Sequence, residues 1–391
     1  MARTALIVGA GIGGLAAAVA LRQAGWQVRV FERASSPREL GFGLALAPNA
    51  IRALADLGVA DAILANAFAP DRVFAEMRRM DGTVIKRSHF PVRAALGGTL
   101  AIALRPAVHG ALLDAVGLGN IAVDHEAEGF TQAGDRVTLR FQRRESVEGH
   151  LLVGADGTSS AIRRVLHPAE PPPRPSHLVA IRGAVHGATG HLRDLGAIYY
   201  IGPGVEAMIA RASDTGIYWF VSLAQELVPP GMTDAAAVLA HVAPRFDTTF
   251  RAVSSATTDL RLDELFDRDP LPFWSRGLVT LLGDAAHPLL PHTGQGAAQA
   301  IVDGVVLGRL LTGDARIADA LLAYEAERHG KTAALLQQGR RTARVMRVMN
   351  PIACAIREAI VRAIPADLVA RLLVQINRRA GTDVRTSAPS H

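Results

Sequence analysis

Four glycines and one acid near the start of the chain have types and a spacing that suggest chemistry. Gly9, Gly11, Gly13 and Gly14 fall in the run GAGIGG, and Glu32 stands 18 residues past Gly14. In a G-x-G-x-x-G turn the first glycine permits a tight bend. The second lets bare backbone approach a pyrophosphate, and the last lets a helix pack close to a strand. An acid beyond the following strand accepts hydrogen bonds from a ribose diol and disfavours a 2′-phosphate. The ligand expected here is a dinucleotide with an unphosphorylated adenosine, FAD or NAD. Arg33, next to Glu32, is counted with the same site.

The elements that must hold those residues are legible around them. Ala5 to Val8 is a short apolar run, as for a strand buried on both faces. Leu15 to Ala24 reads as an alanine-rich helix stopped by Gly25, and Gln27 to Phe31 reads as the next strand. Thr4 to Leu21 carries no charge and follows Arg3, so it imitates a signal peptide or a membrane span. The glycines interrupt it where a span would need continuous internal hydrogen bonding.

Three more segments continue the pattern. Gly154, Ala155, Asp156 and Gly157 follow the apolar strand at 151–153, with Ser159, Ser160 and Arg163 just beyond. The stretch from Leu281 through Asp303 reads LLGDAAHPLLPHTGQGAAQAIVD, with Gly283 and Asp284 expected at the carboxyl end of a strand at 277–282. Open α/β sheets bind ligands at such ends. Arg105 opens a helix that contains Leu112. Together with the glycine turn, these segments resemble the single-component flavin-dependent aromatic hydroxylases, the group that includes para-hydroxybenzoate, salicylate and phenazine hydroxylases. The resemblance runs from Ala5 to about Arg328. It departs from the family at Ala298, where many members have Asn, and at Val302, where many have Glu.

The resemblance implies bound FAD and a transient encounter with NADH or NADPH. It places Asp156 near the pyrophosphate, Arg105 on the FAD phosphates, and Asp284 by the ribityl chain or the pyrophosphate. Gly294, Gly296 and Ala297 would open a helix whose N–H groups stabilise charge on the reduced flavin. Pro291 would form a rigid wall beside the ring, and His292 is the candidate base or substrate hydrogen-bonding group. The implied reaction is oxygen transfer from a flavin C4a-hydroperoxide to an aromatic or polycyclic small molecule, with O₂ as co-substrate. Two alternatives share these features: epoxidation of an unsaturated substrate, and a non-catalytic flavin-binding redox or assembly protein.

The expected fold is α/β: a Rossmann-type FAD-binding domain (1–70, 100–175 and 273–330) interrupted by a mostly antiparallel substrate sheet (71–99 and 176–272). Helices at 331–380 and a disordered tail at 381–391 follow. Runs at 178–182, 197–201, 206–211 and 216–222 read as strands of that sheet. Arg182, Tyr200, Arg211, Tyr218 and Phe220 are its candidate substrate residues. Strand period sets Tyr218, Phe220 and Ser222 on one face and Ile217, Trp219 and Val221 on the other, without saying which lines a pocket. Near the end, Ile352, Ile356, Ile360 and Ile364 share a helix face, as do Leu368, Leu372 and Ile376. Such helices are expected to pack onto the body or a second subunit more readily than onto a membrane.

Bulk composition narrows the remaining choices. Of 391 residues, 49% are hydrophobic and 20% charged, as in a globular protein. Basic residues number 42 against 36 acidic, and their diffuse scatter gives no nucleic-acid footprint. The single cysteine, Cys354, excludes an internal disulfide and a cysteine-based zinc site, and no metal is expected. A cytoplasmic monomer or homodimer is the expectation.

Overall fold

The computed structural model describes residues 3–37 and 42–365. Thr4–Val8 forms a strand between Leu151–Gly154 on one side and Gln27–Phe31 on the other, parallel to both. A strand flanked and covered in this way must be apolar at nearly every position, and Ala5, Leu6, Ile7 and Val8 are all buried. Among the described residues the sheet has six strands. Val279–Leu281 and Ser275–Arg276 lie beyond Leu151–Gly154, and Ile121–Ala122 lies beyond Gln27–Phe31.

Two helices on this sheet fix the geometry of everything that follows. Ile12–Gln23 packs along Gly296–Leu310. Their small residues interlock. A Cβ on Gly13 would sit 3.0 Å from the Ala300 Cβ, one on Gly304 would sit 2.7 Å from the Ala17 nitrogen, and one on Gly308 would sit 2.6 Å from the Ala20 Cβ. Positions rise together along both chains, so the helices run parallel, and their amino ends lie at the same end of the domain. The absence of side chains at Gly304 and Gly308 allows the two backbones to approach this closely.

A seven-stranded sheet forms the second layer. Its order is Leu260–Asp267, Arg174–His186, Gly216–Ala224, Val205–Arg211, Ala197–Gly202, Arg72–Arg79 and Val84–Pro91. All neighbours are antiparallel except Ala197–Gly202 with Arg72–Arg79. The four strands read from sequence are here in one sheet. The hairpin at 72–91 and the strand at 260–267 complete it. One face is closed by the helices Ala235–Val242 and Thr248–Ser255, which bury Ile217, Trp219 and Val221 against Val238, Phe246, Phe250 and Val253. Asp234 and Asp247 start those two helices by accepting hydrogen bonds from the Ala237 and Phe250 amides.

At the end of the chain, the 30-residue helix Ile317–Met346 buries Leu321, Tyr324, Arg328, Leu335 and Leu336. Pro351–Ala363 forms a further helix, capped by Asn350. It docks on the sheet edge through polar contacts: Arg79 to Glu358 at 2.7 Å, and Arg357 donating to the Gly202 carbonyl at 2.8 Å. Ile352, Ile356 and Ile360 are exposed, so this isoleucine face is not the one that packs on the body. Leu368, Leu372 and Ile376 lie outside the described residues. No described helix is long and apolar enough to cross a membrane.

Candidate active site

The glycine turn is as tight as its residue types require. Gly9 has φ +104°, and a Cβ there would lie 2.4 Å from the Ala155 carbonyl oxygen. A Cβ on Gly14 would lie 2.0 Å from the Gly9 oxygen. Gly11 caps the Ile12–Gln23 helix without any side-chain hydrogen bond, which leaves the first amides of the helix to an external acceptor. Glu32 is held by the same turn. Its Oε2 accepts from the Ala10 amide at 2.9 Å and its Oε1 from the Ala34 amide at 2.9 Å, with further lone pairs remaining on both oxygens. Arg33 is exposed next to it.

Arg105 is the first residue of the helix Arg105–Val116, and its amide donates to the Phe42 carbonyl at 2.6 Å. The same helix carries buried His109, whose Nε2 lies 2.8 Å from the Ala10 carbonyl and ties the helix to the glycine turn. Asp156 follows the strand Leu151–Gly154. Its Oδ2 accepts from the Ala161 amide at 2.7 Å, while its Oδ1 is buried without a partner. Burial pushes its carboxyl above the ordinary range, against hydrogen bonds from Ser160 and from backbone amides that favour the charged form. Arg163 joins this segment to the next: its Nη1 donates to the Ala285 carbonyl at 3.0 Å, and it pairs with Glu170.

Strand Val279–Leu281 leads into Gly283 (φ +60°) and an exposed Asp284 on a short 3₁₀ turn. Below them lies a buried polar network. Asp303 accepts from the Gly283 amide at 3.1 Å and lies 2.6 Å from His287 Nε2 and 2.7 Å from Arg328 Nε. Arg328 also donates to Gln299. Burial alone would raise the Asp303 carboxyl, but His287 and Arg328 beside it hold it at about 2. His287, read only as a letter of the motif, is thus a buttress for this turn.

The second helix start completes this end. Pro291–Thr293 is a 3₁₀ turn, Gly294 is left-handed at φ +61°, and Gln295 caps the helix Gly296–Leu310 without a side-chain bond. A Cβ on Gly296 would meet nothing within 4 Å, which marks open space in front of the helix. Ala297 is half-buried beside it. A Cβ on Gly294 would lie 3.7 Å from the Ala45 Cβ, so the strand Gly43–Leu46 borders the same space.

The open face of the seven-stranded sheet borders it too. A Cβ on Gly43 would fall 2.3 Å from the Tyr218 ring. Register puts Phe220 opposite Arg182 and Met208, and Ser222 opposite Glu206. Tyr218, Phe220, Ser222, Arg182 and Glu206 therefore share the face turned toward the flavin-fold domain, and the Trp219 face is covered by helices. Burial pushes the Tyr218 phenol up to about 12 despite Arg182 and Arg105 nearby. Arg182 lies 3.1 Å from Asp263. Pro291 is exposed, and His292 Nδ1 lies 2.8 Å from Glu206 Oε2.

Two expected substrate residues lie elsewhere. Tyr200 is buried on the helix-covered face, where its hydroxyl donates to Asp247 at 2.9 Å and its ring meets Phe246 and Phe250 edge-on. Arg211 pairs in register with Ile217 on that face and donates to the Leu195 carbonyl. Glu206 was not among the candidates. Its one sequence signal is an acid within the otherwise apolar run VEAMIA.

The FAD binding domain family matches residues 2–339. The chain is 32% identical over 379 residues to aurachin C monooxygenase/isomerase of Stigmatella aurantiaca, covering 94% of this chain and 95% of that one. It is 34% identical over 367 residues to the phenazine 1,6-dicarboxylic acid hydroxylase PhzS of Lysobacter antibioticus, covering 86% and 88%. Klebsiella pneumoniae HpxO, solved with FAD and uric acid, superimposes with a TM-score of 0.87 at 25% identity over 96% of each chain.

Proposed function

The chain belongs to the FAD binding domain family, the single-component flavin monooxygenases, and from that membership we propose that it uses NADH or NADPH and O₂ to hydroxylate an aromatic or polycyclic small molecule. The observation that carries this reading is the parallel pair of uncapped, glycine-opened helices. Their amino ends lie together, one at the turn Gly9–Gly14 and one at Gly294–Gly296, where a dinucleotide with a fused-ring end can bridge them.

The residues present fit FAD. The bare backbone at Gly11 and the carboxylate of Glu32 suit a pyrophosphate and an adenosine ribose. Arg105 supplies positive charge to the phosphates. The unpartnered Oδ1 of Asp156 and the carboxylate of Asp284 suit hydroxyl donors along the cofactor. Open space at Gly296 admits a ring against the helix amides, which favour negative charge there. When bound, the flavin supplies two-electron redox chemistry and the activation of O₂.

The protein's own contribution is placement and exclusion of water. Tyr218 and Phe220, 6.3 Å apart between ring centroids and tilted 36° to one another, offer aromatic surface above that space. Pro291 and the left-handed Gly294 hold the floor rigid. The phenazine hydroxylase and the uric acid complex among the relatives concern fused heteroaromatic rings, which such a slot accommodates. The test is oxidation of NADH or NADPH by the FAD-loaded protein under air across a panel of one- to three-ring arenes, with ¹⁸O₂ and product identification. Stimulated oxidation with one labelled oxygen in the product is expected. Oxidation that no arene stimulates would refute the proposal.

A further inference from the structure

The pair His292–Glu206 holds no part of the expected flavin site, yet both side chains are almost fully enclosed, at 1% and 7% exposure. His292 Nδ1 lies 2.8 Å from the Glu206 carboxylate. A carboxylate only accepts hydrogen bonds, so Nδ1 carries the proton, and with Nδ1 as the donor it is Nε2 that can act as an acceptor. That Nε2 is buried and has no hydrogen-bond partner. An enclosed acceptor without a donor is costly, and a site that tolerates one is completed by what enters it. The hydroxyls of Ser222, opposite Glu206 in register, and of Thr293, next to His292, are buried and unpartnered in the same way.

The surroundings define the visitor. Tyr218 and Phe220 supply ring faces. Arg182, across from Phe220, lies 3.1 Å from Asp263, and its Nε is buried without a hydrogen-bond partner. Resting on the hydroxylase reading and deepening it, we propose that Glu206 is a positioning residue that fixes His292 as proton acceptor for an aromatic substrate bearing a ring O–H or N–H. In the step itself the substrate O–H or N–H bond breaks and its electron pair stays on the oxygen or nitrogen. The proton forms a bond to His292 Nε2. The resulting imidazolium is stabilised by the Glu206 carboxylate, and the electron-rich ring becomes the better nucleophile toward an electrophilic oxygen.

The titratable groups facing the pair do not compete near neutrality. Tyr199, on the neighbouring strand, is pushed up by burial and by the Glu206 charge, and Tyr218 is pushed up to about 12 by burial. Charged groups in register on this face include Arg182 and Arg261, both met by Asp263, Arg79, paired with Glu358, and Lys86, which donates to the Ile364 carbonyl; Arg105 lies toward Tyr218.

The experiment uses FAD-loaded protein and matched probes: 1- and 2-naphthol and their methyl ethers. Arene-stimulated NAD(P)H oxidation and product are measured from pH 6 to 10 for the wild type, E206Q and H292Q. The hydroxyarenes are expected to be turned over with a kcat/KM about 10²-fold above the methyl ethers. E206Q is expected to lose about 10²-fold in kcat at neutral pH with KM little changed, and to recover toward the pKa of the naphthol itself. H292Q should show the same upward pH shift. Methyl ethers as good as naphthols, or an unshifted E206Q profile, would each overturn the proposal and leave the hydroxylase reading standing. If E206Q fails to retain FAD, H292Q and the methyl ethers decide the matter by the same readouts. A panel that stimulates nothing in flavin-loaded protein would sink both.

Discussion

Replacing Asp303 by asparagine tests the buried network beneath the Gly283 turn. In the wild type both Asp303 and Arg328 are fully enclosed and 2.7 Å apart, and His287 and the Gly283 amide share the same carboxylate. Removing the negative charge leaves the Arg328 guanidinium buried without a counter-ion, a change that costs about 3–5 kcal/mol. The acid dependence gives an independent figure. The Asp303 carboxyl is held at about 2 in the folded protein against an ordinary 3.8. A depressed carboxyl contributes stability that is complete above the unfolded value and is lost as pH falls toward the folded one, so this group contributes about 2–3 kcal/mol at neutrality. Urea unfolding of D303N at pH 7 should therefore show a loss of several kcal/mol, and between pH 4 and 2 the variant should lose less stability than the wild type. The double variant D303L/R328M should recover part of the loss, because no lone charge remains. A D303N protein within about 0.5 kcal/mol of wild type, with an unchanged acid limb, would refute the reasoning.

Other substitutions probe the two helix starts separately. Gly14→Ala places a methyl 2.0 Å from the Gly9 oxygen, so the helix start must shift, and FAD affinity by fluorescence titration should fall at least about 10²-fold. Gly296→Ala is the opposite case. Its methyl enters open space at a helix amino end, so the protein without flavin should melt no lower than wild type while FAD binding weakens; unchanged binding would remove Gly296 from the site. Gly43→Ala drives a methyl toward the Tyr218 ring at 2.3 Å and should lower arene-stimulated turnover while FAD is retained, as absorbance would show. Stripping FAD should lower thermal stability, since flavin at a hundredfold excess over Kd contributes about 2.7 kcal/mol, and calorimetry with and without added FAD measures it.

Much of the cofactor end was readable because backbone geometry leaves a mark on residue type. Only glycine tolerates the φ of Gly9 or the contact at Gly14, and an apolar run without alternation marks a strand enclosed on both sides. The same logic explains what stayed hidden. Strand period divides Tyr218 and Phe220 from Trp219, but the choice of face depends on helices at 235–242 and 248–255 that reach the sheet only in three dimensions. That cover is why Tyr200, a plausible polar contact by sequence, is spent on Asp247. Glu206 drew no notice because an isolated acid in a strand has no local partner; its partner, His292, is 86 residues away in sequence. Gly304 and Gly308 read as ordinary helix residues until the Ala17 and Ala20 backbone is found against them. The exposed isoleucines of Pro351–Ala363 show the limit of a helical stripe, which reveals that a face is apolar but not what it meets.

A crystal structure of the protein with FAD tests the central claim most directly. The account predicts the pyrophosphate on the amides that follow Gly11, the adenosine ribose at Glu32, and the isoalloxazine between the Gly294–Gly296 turn and the sheet face of Tyr218 and Phe220. A ring bound away from Gly296, or lying on the Trp219 side of that sheet, would contradict it.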